Sequence, residues 1–179
     1  MEPCRESLSV DEAARAARFK FDDDRVRWIR ARSSLRRILA RYALAEPLRL
    51  QFTYGEHGKP TLANWPRIQF NLSHAGDWAM VAITREVPVG VDVERMRPNL
   101  DMAPLLRRLG ESDLPENRDE LYQRWTLREA KSKAAGGALF DTPLAKIHAV
   151  PLSAPSNYSA AVALVGFTPD VNYCAAGNL

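Results

Sequence analysis

Two carboxylates stand two residues apart in Gly90-Val91-Asp92-Val93-Glu94. The valines mark a strand, and strand side chains alternate faces. Asp92 and Glu94 therefore point one way, and Val91 and Val93 point the other way into a core. Carboxyl groups about 7 Å apart on one face repel unless a cation or basic group lies between them. Paired hard oxygens suit Mg²⁺, which takes one or two carboxylates together with phosphate and water. Two exposed acids on a strand edge are the plain alternative. If they line a site, they are expected in a solvated cleft.

A second constellation runs from Trp125 to Lys133 (WTLREAKSK). On a helix Trp125, Glu129 and Lys133 fall at i, i+4 and i+8 and share one face. Glu129 and Lys133 read either as a surface pair worth a few tenths of a kcal/mol, or as a third acid facing Asp92 and Glu94 with a phosphate-holding ammonium one turn on. Arg128 lies about 100° round the helix and need not join them. In Phe70-Asn71-Leu72-Ser73-His74-Ala75-Gly76 a strand ends in polar residues and a turn histidine. Backbone N–H groups in such a turn can hold phosphate oxygens, although an ordinary polar loop has the same look. Gly58-Lys59-Pro60 presents a lysine from a stiff turn and by itself says little.

The elements that must position these residues follow from periodicity. Residues 9–20 read as a short helix with Ser9 as cap and Glu12 three residues on. Asp22-Asp23-Asp24 open a longer helix over 23–44, with Val26, Ile29, Leu35, Ile38, Leu39 and Tyr42 as its apolar stripe. Residues 48–54 alternate as a strand, and GEHGKP is a turn. Strands are expected at 67–72 and 78–84, joined by Ser73–Asp77, and at 88–94. Residues 95–115 read as an irregular loop with one short helix. A helix over 115–135 ends at Gly136-Gly137, and strands follow at 145–150, 158–166 and 171–176.

Composition bounds the function classes. The 179 residues are 46% hydrophobic and 26% charged, values of a chain that builds a core. No apolar run is long enough to cross a membrane, and the N-terminus lacks a secretory apolar stretch. Cys4 and Cys174 lie near opposite ends without metal-ligand spacing, as expected of unpaired thiols in a reducing cytoplasm. The net charge is +3, but eleven Lys and Arg fall between Arg5 and Arg41. Such clustering suits nucleic acid, an acidic protein surface or a phosphorylated cofactor, or is a solvated helix face. The acidic turn at 22–24 and the lack of interleaved aromatics argue against nucleic acid.

Taken in order, Gly58-Lys59-Pro60, Phe70 to His74, Gly90 to Glu94 and Trp125 to Lys133 resemble the GKP, F-N-[LI]-S-H, G-[VI]-D-x-E and W-[ST]-x-K-E-x-x-x-K motifs of the surfactin-synthetase-type 4′-phosphopantetheinyl transferases. The resemblance covers residues of about 10 to 140. It implies an α+β fold of two pseudo-repeated halves, 1–94 and 95–179, each a long helix packed on a small, mainly antiparallel sheet, with the second half trimmed. It implies holo-acyl-carrier-protein synthase activity: Mg²⁺-dependent transfer of phosphopantetheine from coenzyme A to a serine of an apo acyl or peptidyl carrier protein, releasing 3′,5′-ADP. Asp92, Glu94 and Glu129 would be the metal ligands, and Glu129 the base. Lys59 and His74 would contact the 3′-phosphate, Ser73 would border the nucleotide, and Lys133 would reach the pyrophosphate. Arg15, Arg18 and Arg27 match basic positions that hold phosphate. A monomer is expected, with no nucleic acid or membrane as partner. A coenzyme A-binding protein with lost or reduced transfer is the alternative. Arg128 replaces the usual lysine, the gap between Asp92 and Trp125 is short, the usual first strand is missing, and the tail carries less β-structure.

Overall fold

In the computed structural model, residues 8–98, 104, 107, 115–136 and 146–174 are described. The chain divides into two compact units: Met1–Thr53 with Leu62–Ile68 and Asn172–Leu179, and Tyr54–Thr61 with Gln69–Val171.

The first unit is built on two helices, α1 (Val10–Ala16) and α2 (Asp22–Ala43). α1 starts where Glu12 reaches back to the Ser9 N–H (2.9 Å), the capping-box gesture its sequence announced. It ends earlier than expected, and Phe19 instead packs against Trp28 with ring centroids 5.9 Å apart. α2 opens on Asp22, Asp23 and Asp24, acids that complement the positive pole of its N-terminus.

The basic segment does not form a simple solvated face. Glu12 is only 3% exposed and pairs with Arg32 and Arg36, themselves buried at 8% and 2%. The Arg36 guanidinium also donates to the carbonyls of Pro47 (2.7 Å) and Leu50 (3.0 Å), and Arg32 lies over the Phe52 ring at 3.7 Å. Burial alone would raise the Glu12 pKa. The hydrogen bond from Arg36, the Ser9 N–H and the charge of Arg32 outweigh it and hold the carboxyl below its usual range. This network explains a departure from expectation at 48–54. Carbonyls 47 and 50 are taken by Arg36, so Pro47–Arg49 is a 3-10 turn and only Phe52–Tyr54 forms a strand, β1.

β1 pairs with β2 (Pro60–Leu62). Their connection is closed by Gly55 N–H to Lys59 O (3.0 Å) and Gly58 N–H to Gly55 O (2.9 Å).

The second unit is α+β. β3 (Ile68–Ala75) and β4 (Trp78–Arg85) form a hairpin, so β3 continues through Ser73 and His74 instead of stopping at Leu72. The turn is only Gly76-Asp77. Gly76 has φ +55°, which suits the first central position of a type II′ turn. β5 (Val89–Arg95), β6 (Ile147–Leu152) and β7 (Tyr158–Val165) form an antiparallel sheet in the order β5-β7-β6. Asp92 lies opposite Ala161, and Glu94 opposite Ser159.

α3 (Arg118–Ala135) packs across β5, β7 and β6. Asn117 caps it by accepting from the Glu120 N–H (2.9 Å), and Gly136 ends it in the left-handed conformation. The contact uses small residues, Ala130 and Ala134 against Ala161 and Ala163 with Ile147, so helix and sheet backbones come close.

The expected strand at 171–176 is absent over 171–174. Residues 172–174 are exposed there, Tyr173 at 61%. Residues 175 and 176, Gly137, Cys4 and most of 95–115 lie outside the described residues, while 104 and 107 are helical. Cys174 is a free, exposed thiol. No helix of the described chain is long and apolar enough to cross a membrane.

Candidate active site

The even-numbered face of β5 looks at α3, and this sets the site. Gly90 lies directly beneath the helix. A Cβ there would stand 2.1 Å from Ala130 O and 2.3 Å from Ala134 N, so only glycine admits this approach. Two residues on, Asp92 meets Lys133, and two further on, Glu94 meets Trp125. The odd-numbered face, Val89, Val91 and Val93, is 1% exposed throughout, as the alternation required.

Asp92 is 2% exposed, so the expectation of a solvated cleft does not hold for this carboxylate. Its Oδ1 accepts from Lys133 Nζ (2.5 Å) and from the Ser73 hydroxyl (3.0 Å). Its Oδ2 is buried with no hydrogen-bond partner. The Ser73 hydroxyl is fully used: it donates to Asp92 and accepts from Lys133 Nζ (3.1 Å) and the Val93 N–H (3.3 Å). Two residues earlier on β3, Asn71 Oδ1 accepts from the Val91 N–H (2.9 Å). Asn71 and Ser73 thus use the period-two spacing of a strand to satisfy the outer edge of β5. His74, between the buried Ser73 and the turn, is exposed.

Glu94 is half-buried. Burial and the like charge of Asp92 raise its pKa, Glu129 adds to the rise, and Lys133 and a hydrogen bond from Trp125 oppose it. Trp125, Glu129 and Lys133 therefore all act on the acids of β5, as the one-face spacing required. Among the described residues, no three His, Cys, Asp or Glu groups stand close enough to hold a metal ion as they are. The donor chemistry nonetheless fits a hard divalent cation: a buried carboxylate oxygen of Asp92 without a partner, beside a half-buried Glu94 whose pKa is raised by burial and by the charges of Asp92 and Glu129.

Lys59 comes from the β1–β2 turn. Its ammonium donates to the backbone carbonyls of Val89 (3.0 Å) and Lys133 (2.6 Å), and burial lowers its pKa to about 8. Arg15, Arg18 and Arg27 belong to the first unit. Arg15 and Arg18 line a surface groove of about 490 Å³ with Asp11 and Phe19. Arg15 lies over the Trp28 ring at 5.6 Å, and Arg27 pairs with Asp24 at 3.3 Å.

Sequence reasoning missed Asn71 and Gly90 as parts of the site. Asn71 was detectable from its i, i+2 relation to Ser73. Nothing in the sequence showed that Gly90 would face a helix.

Comparison with known proteins gives the chain its relatives. Residues 3–86 match the family model described as 4′-phosphopantetheinyl transferase, N-terminal. The chain is 35% identical over 189 residues to the 4′-phosphopantetheinyl transferase HetI of Nostoc, covering 90% of this chain and 80% of that one. A Synechocystis protein described as a transferase of the same name is 35% identical over 170 residues, covering 84% of this chain and 69% of its own. The 4′-phosphopantetheinyl transferase Sfp of Bacillus subtilis is 27% identical over 139 residues, covering 74% and 62%. The chain belongs to the 4′-phosphopantetheinyl transferase family.

Proposed function

We propose that the protein is a surfactin-synthetase-type transferase that moves the 4′-phosphopantetheine arm of coenzyme A onto a serine of an apo carrier protein, with Mg²⁺, in the cytoplasm. The observation that carries this reading is the cluster of buried Asp92 and Ser73 with half-buried Lys133, beside Glu94 and Glu129. Its orphaned carboxylate oxygen and its ammonium are the groups a metal–diphosphate substrate needs. The reading of 1–94 and 95–179 as two related halves belongs to the same proposal.

Asp92, Glu94 and Glu129 would hold the cation, which when bound neutralises charge developing on the diphosphate. Lys133 would leave Asp92 Oδ1 and donate to the pyrophosphate, which takes over the anionic charge that the carboxylate presents. His74, exposed at the end of β3, would meet an outer phosphate. Glu129 would take the proton of the carrier serine, directly or through water. The serine oxygen then forms a bond to the phosphorus bearing pantetheine. The bond from that phosphorus to the bridging oxygen breaks, and 3′,5′-ADP leaves with the electron pair, its charge held by Lys133.

The test is incubation with coenzyme A, Mg²⁺ and a panel of apo carrier proteins, read by intact mass. Addition of one phosphopantetheine group to a carrier, absent with EDTA, is the expected result. Coenzyme A binding without transfer to any carrier would instead favour a binding protein.

A further inference from the structure

Lys59 commits its ammonium to main-chain carbonyls. An ammonium has three N–H donors, and two of them already end on Val89 O (3.0 Å) and Lys133 O (2.6 Å). Lys133 O lies in the last turn of α3, where carbonyls lack full intrahelical partners and carry the negative pole of the helix. Val89 O lies at the start of β5, next to Gly90, over which α3 passes. One side chain therefore fastens the end of the helix to the strand at their closest approach. The fastened residue is itself a member of the site: the Lys133 backbone bonds Lys59, and the Lys133 side chain bonds Asp92 and Ser73.

We infer that Lys59 is a positioning residue for phosphopantetheine transfer, clamping the last turn of α3 to β5 so that Lys133 is held at the right height above Asp92, in place of serving chiefly as a ligand of the coenzyme A 3′-phosphate. The inference rests on the function proposed above. The clamp has a plain physical basis. The turn that carries Lys59 is closed by its own carbonyl accepting from the Gly55 N–H and is stiffened by Pro60. The ammonium is therefore delivered from a short, fixed arm. Of its two acceptors, the Lys133 carbonyl gains further from a positive donor because it lies at a helix C-terminus.

Lys59→Met keeps the apolar stem of the side chain and removes the donors, while Lys59→Arg keeps a fork able to reach both carbonyls. With coenzyme A and 3′-dephospho-coenzyme A as paired substrates, the clamp predicts that Lys59→Met lowers kcat by about 10- to 100-fold, the scale of a roughly 1 Å misplacement. The fall should be equal for both substrates, the ratio of their KM values should be unchanged, and Lys59→Arg should recover part of the loss. A second readout needs no turnover. Hydrogen exchange of amides 130–136 should quicken by about tenfold or more in Lys59→Met, with amides of α1 unchanged. A variant that keeps those amides protected, and loses only the preference for coenzyme A over its 3′-dephospho form, would overturn the clamp in favour of phosphate binding. If the wild-type protein transferred to no carrier, the functional reading would fall, and the exchange experiment would still decide the clamp.

Discussion

Gly90→Ala is the sharpest perturbation the fold offers. It adds one methyl group and changes no charge. That methyl would stand 2.1 Å from Ala130 O, 2.3 Å from Ala134 N and 2.9 Å from the Lys133 carbonyl carbon. All three are backbone atoms, so no side chain can swing aside. Ordinary contact begins near 3.5 Å, and α3 would have to withdraw from β5 by about 1.4 Å. The same shift loosens the small-residue packing of Ala130 and Ala134 on Ala161 and Ala163, and it pulls Lys133 from Asp92. The loss should reach the upper end of overpacking costs, about 3 kcal/mol, or a fall in Tm of about 6–12 °C for a chain of this length. Urea and thermal unfolding followed by tryptophan fluorescence measure it. Gly136→Ala is the control: nothing lies within 4 Å of its Cβ, and its φ of +75° costs only about 1–2 kcal/mol. Transfer activity should collapse in Gly90→Ala and persist in Gly136→Ala. A Gly90→Ala protein that melts within about 1 °C of wild type, with full transfer, would refute the close approach and the geometry built on it.

The remaining expectations are independent of that contact. Glu12→Gln leaves Arg32 and Arg36 buried without their counter-charge, and the loss should be about 3–5 kcal/mol by urea denaturation. Because the Glu12 pKa is lowered in the fold, its contribution is present above the unfolded carboxyl pKa and fades as pH falls through the folded value, so the variant should lose the acid limb of the stability profile. Lys59 gives a slope of the same sign at higher pH: with its pKa lowered from 10.5 to about 8 by burial, the unfolded chain binds more protons between those values. Wild type should gain stability relative to Lys59→Met as pH rises from about 8 to 10. Mg²⁺ at one hundred times its Kd should raise wild-type stability by about 2.7 kcal/mol, and Asp92→Asn should abolish both that gain and transfer while near-ultraviolet circular dichroism stays native.

How much of this could be read in advance depends on whether a signal was local. The strand at Val89–Arg95 and the helix at Arg118–Ala135 were legible because alternation and 3.6-residue spacing are properties of short windows, and the same spacings placed Asp92 and Glu94 on one face and Trp125, Glu129 and Lys133 on another. The burial of Asp92 was not legible, because it follows from α3 lying on that face, a contact between residues far apart in the chain. The arginine-rich helix misled for the same reason. Arg32 and Arg36 look like solvated charges until Glu12, a turn-forming acid by its local context, is brought to them from another helix. The Arg36 guanidinium takes the carbonyls of Pro47 and Leu50 that flank the lost strand at 48–50, and the Asn64 amide takes that of Arg49. In each case the failure lies at a charged residue whose partner is distant. Charge has no periodicity of its own, and a lysine on a turn reads alike whether it will meet a phosphate or a helix end. Lys59 is the clearest instance: its motif says only that a cation is presented there, and the two carbonyls it bonds were chosen by the packing of Gly90 beneath α3.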